Sequence, residues 1–168
     1  LNNIILIGLS GCGKTCLGNI ISKEEELSFI DLDKYIEEKN SMTIKEMFNI
    51  SEEFFRDRET EAVKEASKLE NTLIATGGGV IKRKENMDTL AKNGCIIFID
   101  RKPENIIETL DTSNRPLLKG GKEKLYDLHE ERYELYKKYA HITVDNNDNK
   151  EKAINTLKDI IKTKLQKD

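Results

Sequence analysis

The sequence predicts an α/β domain built on a mostly parallel sheet, and three observations point there. Five short runs, "NIILIG" (3–8), "LSFID" (27–31), "NTLIAT" (71–76), "CIIFID" (95–100) and "HITVD" (141–145), are rich in Ile, Val, Phe and Thr. Their apolarity is nearly continuous, as in strands covered on both faces. Longer charged segments of helical character separate them. Strand alternating with helix implies parallel pairing through right-handed crossovers, with ligands at the carboxyl ends of the strands.

The first run leads into "GLSGCGKT", residues 8–15. This matches G-x-x-x-x-G-K-[ST] in full, between a predicted strand and a predicted helix. Glycines let backbone N–H groups turn inward around phosphate oxygens, and the helix N-terminus adds its positive end. Lys14 is placed to reach the β- and γ-phosphates of a nucleotide, and the Thr15 hydroxyl to ligate Mg²⁺. Gly8, Ser10, Gly11, Cys12, Gly13, Lys14, Thr15 and Cys16 are therefore the candidate ATP contacts. A plain tight turn would not need Lys followed by Thr.

The second run ends in "FIDLDKYIEE". Asp31 and Asp33 stand at i and i+2, on one side if strand geometry persists. One carboxylate could meet Mg²⁺ or its waters, and the other a hydroxyl that attacks the γ-phosphate. The competing reading has Asp33 capping the following helix and Asp31 solvated.

Two helix starts come next. "TIKEMF" has Thr43 and Glu46 in capping-box spacing, and a helix beginning at Ser51 has acids in its first turn. That second helix carries "FFRDRE", with Arg56 and Glu59 at i,i+3 on one face. Only six of the 28 basic residues are arginine. A planar fork suits carboxylate or phosphate in a way lysine does not. The third run ends in "TGGG", where Gly77, Gly78 and Gly79 would let a ligand approach bare backbone. The stretch 111–124, "DTSNRPLLKGGKEK", reads as a mobile loop. After Asn149, apolar residues at 153, 154, 157, 160, 161 and 165 mark an amphipathic closing helix.

Composition bounds the rest. The 168 residues suit one domain spanning 1–168. Net charge is -3 with acids and bases interleaved, which argues against a nucleic-acid partner. No apolar run approaches the ~20 residues of a membrane span. "LNNIILIGLS" lacks a basic region and a cleavage site, so the expected compartment is the cytoplasm. Cys12, Cys16 and Cys95 are an odd set without metal-site spacing, consistent with reduced thiols.

In order along the chain, "GLSGCGKT", "FIDLDKYIE", "FFRDRE", "TGGG", "NRPLL" and "ERYELYKKYA" resemble shikimate kinase. The resemblance implies a five-stranded parallel sheet flanked by helices, the P-loop nucleoside-monophosphate-kinase-like fold, with a lid at about 111–124. It implies ATP- and Mg²⁺-dependent phosphorylation of the 3-hydroxyl of shikimate, giving shikimate 3-phosphate and ADP. That step belongs to aromatic amino acid biosynthesis, and the expected partners are ATP and shikimate, with the chain a monomer. By motif, Asp33 would bind the shikimate hydroxyls and act as base. Arg56 and Arg132 would take the carboxylate, Gly77, Gly78 and Gly79 would line the pocket, and Asp31 would orient Mg²⁺ through water. Arg115, on the lid, would reach the ATP phosphates as charge develops.

Two departures stand out. Many relatives carry a further arginine before "RPLL", where this chain has "IIETLDTSN"; Arg101 or a lysine is the available substitute. The segment after the last strand is "DNNDNKEK", which leaves Asn146 and Asn147 as candidate adenine contacts. Arg58 competes with Arg56 for the carboxylate. Another small-molecule kinase of the same architecture, for gluconate or a nucleoside monophosphate, also fits an arginine-and-aspartate site.

Overall fold

The structure, a computed structural model, describes residues 2–112 and 121–165, without the side chains of 110–112. Five strands form one sheet: β1 (Asn3–Ile7), β2 (Ser28–Asp31), β3 (Thr72–Ala75), β4 (Gly94–Asp100) and β5 (Ile142–Asp145). Their order is β2-β3-β1-β4-β5 and every pairing is parallel. The five apolar runs are the five strands, each trimmed or shifted by a residue or so at its ends.

Coverage on both faces holds for the inner strands. β1 and β3 are buried throughout, and β4 is buried up to Asp100. The edge strands depart from it: β2 is only half-buried and β5 exposes Thr143 and Asp145. An edge strand has one sheet neighbour and carries less of the core.

Helices α1 (Lys14–Glu24), α2 (Leu32–Asn40), α3 (Ile44–Ile50), α4 (Glu52–Ala66), α5 (Lys84–Lys92), α6 (Pro103–Thr112), α7 (Gly121–Tyr139) and α8 (Lys150–Lys164) carry the connections, with a 3-10 turn at Val80–Lys82. Thr43 and Glu46 make the expected reciprocal capping box, and Ser51 caps α4 by accepting from the Phe54 N–H. Such caps are worth about 1 kcal/mol each. On α8 the apolar stripe buries Ala153, Ile154, Leu157 and Ile161 against the sheet.

Two expectations change. Residues 111–112 and 121–124 are helical, not loop, so the helices run into both ends of the stretch read as a lid. The remainder, 113–120, lies outside the described residues, and Arg115 with it. The cap of α2 is Asp31, not Asp33: Asp31 Oδ1 accepts from the N–H groups of Asp33 and Lys34. The strand ends at Asp31, so the same-side argument from strand periodicity does not apply to the pair. No described helix is long and apolar enough to cross a membrane.

Candidate active site

The loop after β1 closes on itself. Gly8, Gly11 and Gly13 have φ of 147°, 85° and 109°, a region costly for residues with a Cβ. A Cβ at Gly8 would also stand 2.7 Å from the Ile99 carbonyl oxygen. Lys14 is buried, and its ammonium donates to the carbonyls of Gly8 and Leu9, the latter at 2.9 Å. Helices α2, α3 and α4 are each capped by a side chain, whereas α1 has no side-chain cap and no acid in its first turn. Its positive end is left for an anion.

Asp31 ties this loop to the second strand. Thr15 Oγ1 donates to Asp31 Oδ2 at 3.0 Å, while the other carboxylate oxygen caps α2. β3 lies between β1 and β2, so the first turn of α1 makes this connection rather than sheet pairing. Cys12, within the loop, is buried in the core. Cys16 is exposed at the cleft, with the Lys150 ammonium 3.7 Å from its sulfur.

A cleft of about 990 Å³ runs across the carboxyl ends of the strands, lined by residues 10–17 together with Asp31, Asp33, Gly77, Gly78 and Arg101. Asp33 faces the glycine loop: a Cβ at Gly77 would lie 2.7 Å from Asp33 Oδ1. Burial pushes the Asp33 carboxyl above its usual range, Asp31 adds to this, and Lys14 opposes it. A carboxylate biased toward accepting a proton suits a general base.

Arg56 sits under the same glycines, and a Cβ at Gly79 would collide with its guanidinium. Its Nη1 donates to Glu59 at 2.9 Å. Far from being an ordinary surface pair, this one is buried, with Glu59 fully enclosed and its carboxyl raised by burial against the pull of Arg56. Arg132, from α7, reaches Gly78, where a Cβ would stand 3.4 Å from its Nη1. Glu59 Oε2 and Arg132 Nε are buried without a hydrogen-bond partner among the described residues. Arg58 is not in this group. It pairs with Glu61 at 3.2 Å and lies over the Phe54 ring.

Opposite the acceptor groups, Arg101 anchors its guanidinium on Asn146 O, Asn105 O and Thr109 Oγ1. Its bond to Thr109 ties it to the 106–114 stretch that lacks a basic residue. Asn146 is buried and braces the loop, its side-chain N–H donating to Cys12 O at 2.8 Å. Asn147 instead accepts from the Lys102 N–H at 2.7 Å and stays outside the cleft. Sequence reasoning missed Tyr136, whose hydroxyl donates to Gly78 O at 2.6 Å. Its place in "ERYELYKKYA", four residues after Arg132, was the available signal.

Residues 10–162 match the family model for shikimate kinase. A shikimate kinase of Clostridium botulinum strain Alaska E43 is 52% identical over 160 residues, covering 95% of this chain and 97% of that one. The Clostridium beijerinckii shikimate kinase is 44% identical over 165 residues, 98% of each. Among solved structures, the shikimate kinase of Acinetobacter baumannii in complex with shikimate superposes with a TM-score of 0.86 at 33% identity, covering 99% of this chain and 96% of that one. The Bacteroides thetaiotaomicron enzyme gives 0.87 at 28% identity, covering 96% and 98%. With the family model matched over most of its length and relatives of this identity, this chain belongs to the shikimate kinase family.

Proposed function

We propose that the protein transfers the γ-phosphoryl group of ATP to the 3-hydroxyl of shikimate, releasing ADP and shikimate 3-phosphate. The observation that carries this reading is the meeting of Asp33, Arg56 and Arg132 around Gly77, Gly78 and Gly79. Shikimate has one carboxylate and three ring hydroxyls. Two arginine forks suit the first, and an aspartate beside bare backbone suits the second.

The loop amides and the open end of α1 hold the donor phosphates. Lys14 exchanges its loop carbonyls for phosphate oxygens. Asp33 orients the acceptor hydroxyl and takes its proton as the new O–P bond forms and the bond to the ADP oxygen breaks. Arg101 and Asn146 flank the donor on the far side of the loop, and Arg115 adds charge to the leaving phosphates.

Mg²⁺ fits the donor set. Thr15 Oγ1 and the Asp31 carboxylate offer hard oxygens 3.0 Å apart. An ion there would be held largely by phosphate and water. Bound there, Mg²⁺ supplies charge neutralisation on the phosphates; Thr15 and Asp31 orient it.

The test is ADP release from the purified protein with ATP, Mg²⁺ and a panel of acceptors. Shikimate is expected to give the highest kcat/KM. Faster turnover on gluconate or a nucleoside monophosphate, or no shikimate-dependent ADP, overturns the reading.

A further inference from the structure

Tyr136 is almost fully buried, and its ring stacks on Phe98 at 5.0 Å, where β4 approaches the cleft. A buried tyrosine needs a partner for its hydroxyl. Here the partner is Gly78 O, in the middle of the glycine loop, at 2.6 Å. Burial pushes the phenol well above its usual range, with the neighbouring Arg132 guanidinium opposing the shift. The hydroxyl therefore keeps its proton and donates.

Gly78 lies between the donor loop and Arg132. A Cβ there would stand 3.4 Å from Ser10 N, 3.6 Å from Gly8 O and 3.4 Å from Arg132 Nη1. The loop is otherwise held at its ends: the Thr76 N–H and hydroxyl both bond Leu6 O, and the Val80 N–H bonds Gly77 O. Only the Tyr136 hydroxyl grips its centre among the described side chains. Because the peptide is planar and trans, pinning Gly78 C=O also fixes the direction of the Gly79 N–H.

We infer that Tyr136 is a positioning residue for the acceptor: its hydroxyl locks the Gly78–Gly79 peptide to α7, so that the glycine loop and Arg132 present one rigid surface to shikimate. This rests on the function proposed above. The phenol does not line the cleft; it acts through the backbone it holds. The donor loop has braces of its own in Asn146 and in its bonds to Lys14.

The test is Tyr136→Phe, which keeps the ring and its stacking on Phe98 while removing the hydroxyl. Steady-state kinetics are measured against each substrate separately, alongside a thermal melt. The expected result is a shikimate KM raised on the order of tenfold, because an unpinned Gly78–Gly79 peptide must be ordered when shikimate binds. The ATP KM stays near wild type. An unchanged shikimate KM overturns the inference. So does a parallel rise in both KM values with a large fall in melting temperature, which marks a merely structural role. Wild-type protein in the same assay keeps the two readings apart. Absence of shikimate-dependent ADP there overturns the functional reading, and this inference with it. Wild-type turnover with a normal shikimate KM in the variant overturns the Tyr136 role alone.

Discussion

Burial raises the Asp33 pKa above its ordinary 3.8, Asp31 raises it further, and Lys14 opposes both. For a carboxyl raised in the folded state, the stabilising contribution is fully present below the unfolded value. It is lost as pH rises through the folded one. Charging Asp33 as pH rises through its folded value therefore weakens the fold that holds it. Asp33→Asn keeps the shape and removes the charge. Its melting temperature is expected to exceed wild type at about pH 7, with the advantage vanishing below about pH 3. Its kcat is expected to fall by about 100-fold or more, the usual range for a lost general base. Melts at two pH values and a rate assay check both halves; a near-normal kcat removes Asp33 from the proton's path. In the wild type the acid limb of kcat/KM should lie above the ordinary carboxylate range, since that profile reports the free enzyme. At this scale much was legible. Residues 56 and 58 differ by two on a helix and cannot share a face, so only one could reach the pocket. Which one, and that Glu59 would be enclosed with it, depended on how α4 packs against the glycine loop.

Gly94 shows what element packing adds. It opens β4, one residue before the apolar run begins, and a Cβ there would collide with the Ile5 side chain. The same Cβ would stand 3.1 Å from Leu90 O and 3.2 Å from Asn3 O, backbone atoms of α5 and β1 that cannot turn aside. Gly94→Ala is expected to lower stability by about 1–3 kcal/mol, as overpacking does. A urea melt would read this as a lower midpoint with unchanged slope; an unchanged or higher midpoint would show that the α5–β4 corner has slack. The strands and the capped helices were readable because periodicity and caps are local signals. The start of α7 was not. Gly121 has φ of 70°, and glycine beside lysines looks like loop. Helix is favoured there because Leu125 enters the core, a long-range contact that local propensity does not report.

For the whole molecule, strand order was the hidden quantity. β1 and β2 are successive in the chain but separated in the sheet by β3. Local patterns reveal that strands exist, not which of them pair. The bridge between the phosphate loop and Asp31 had to be seen in the Thr15 contact. The metal expectation also belongs at this scale. If Thr15 and Asp31 supply the protein oxygens, the ion should arrive with the nucleotide and contribute nothing to the resting fold. EDTA is expected to abolish turnover and leave the melting temperature of the ligand-free protein unchanged. A clear fall in that temperature would reveal a structural metal instead.

The sheet order also divides labour along the chain. Asp33 and Arg56 both lie in the single crossover from β2 to β3, residues 32–71, whereas the donor loop, Arg101 and Asn146 come after β1, β4 and β5. A change of clientele therefore has one principal address. Rewriting that crossover would retune which alcohol is served while the ATP-handling machinery stays as it is, and the glycine loop after β3 and α7, which brings Arg132, would be the next sites to adjust.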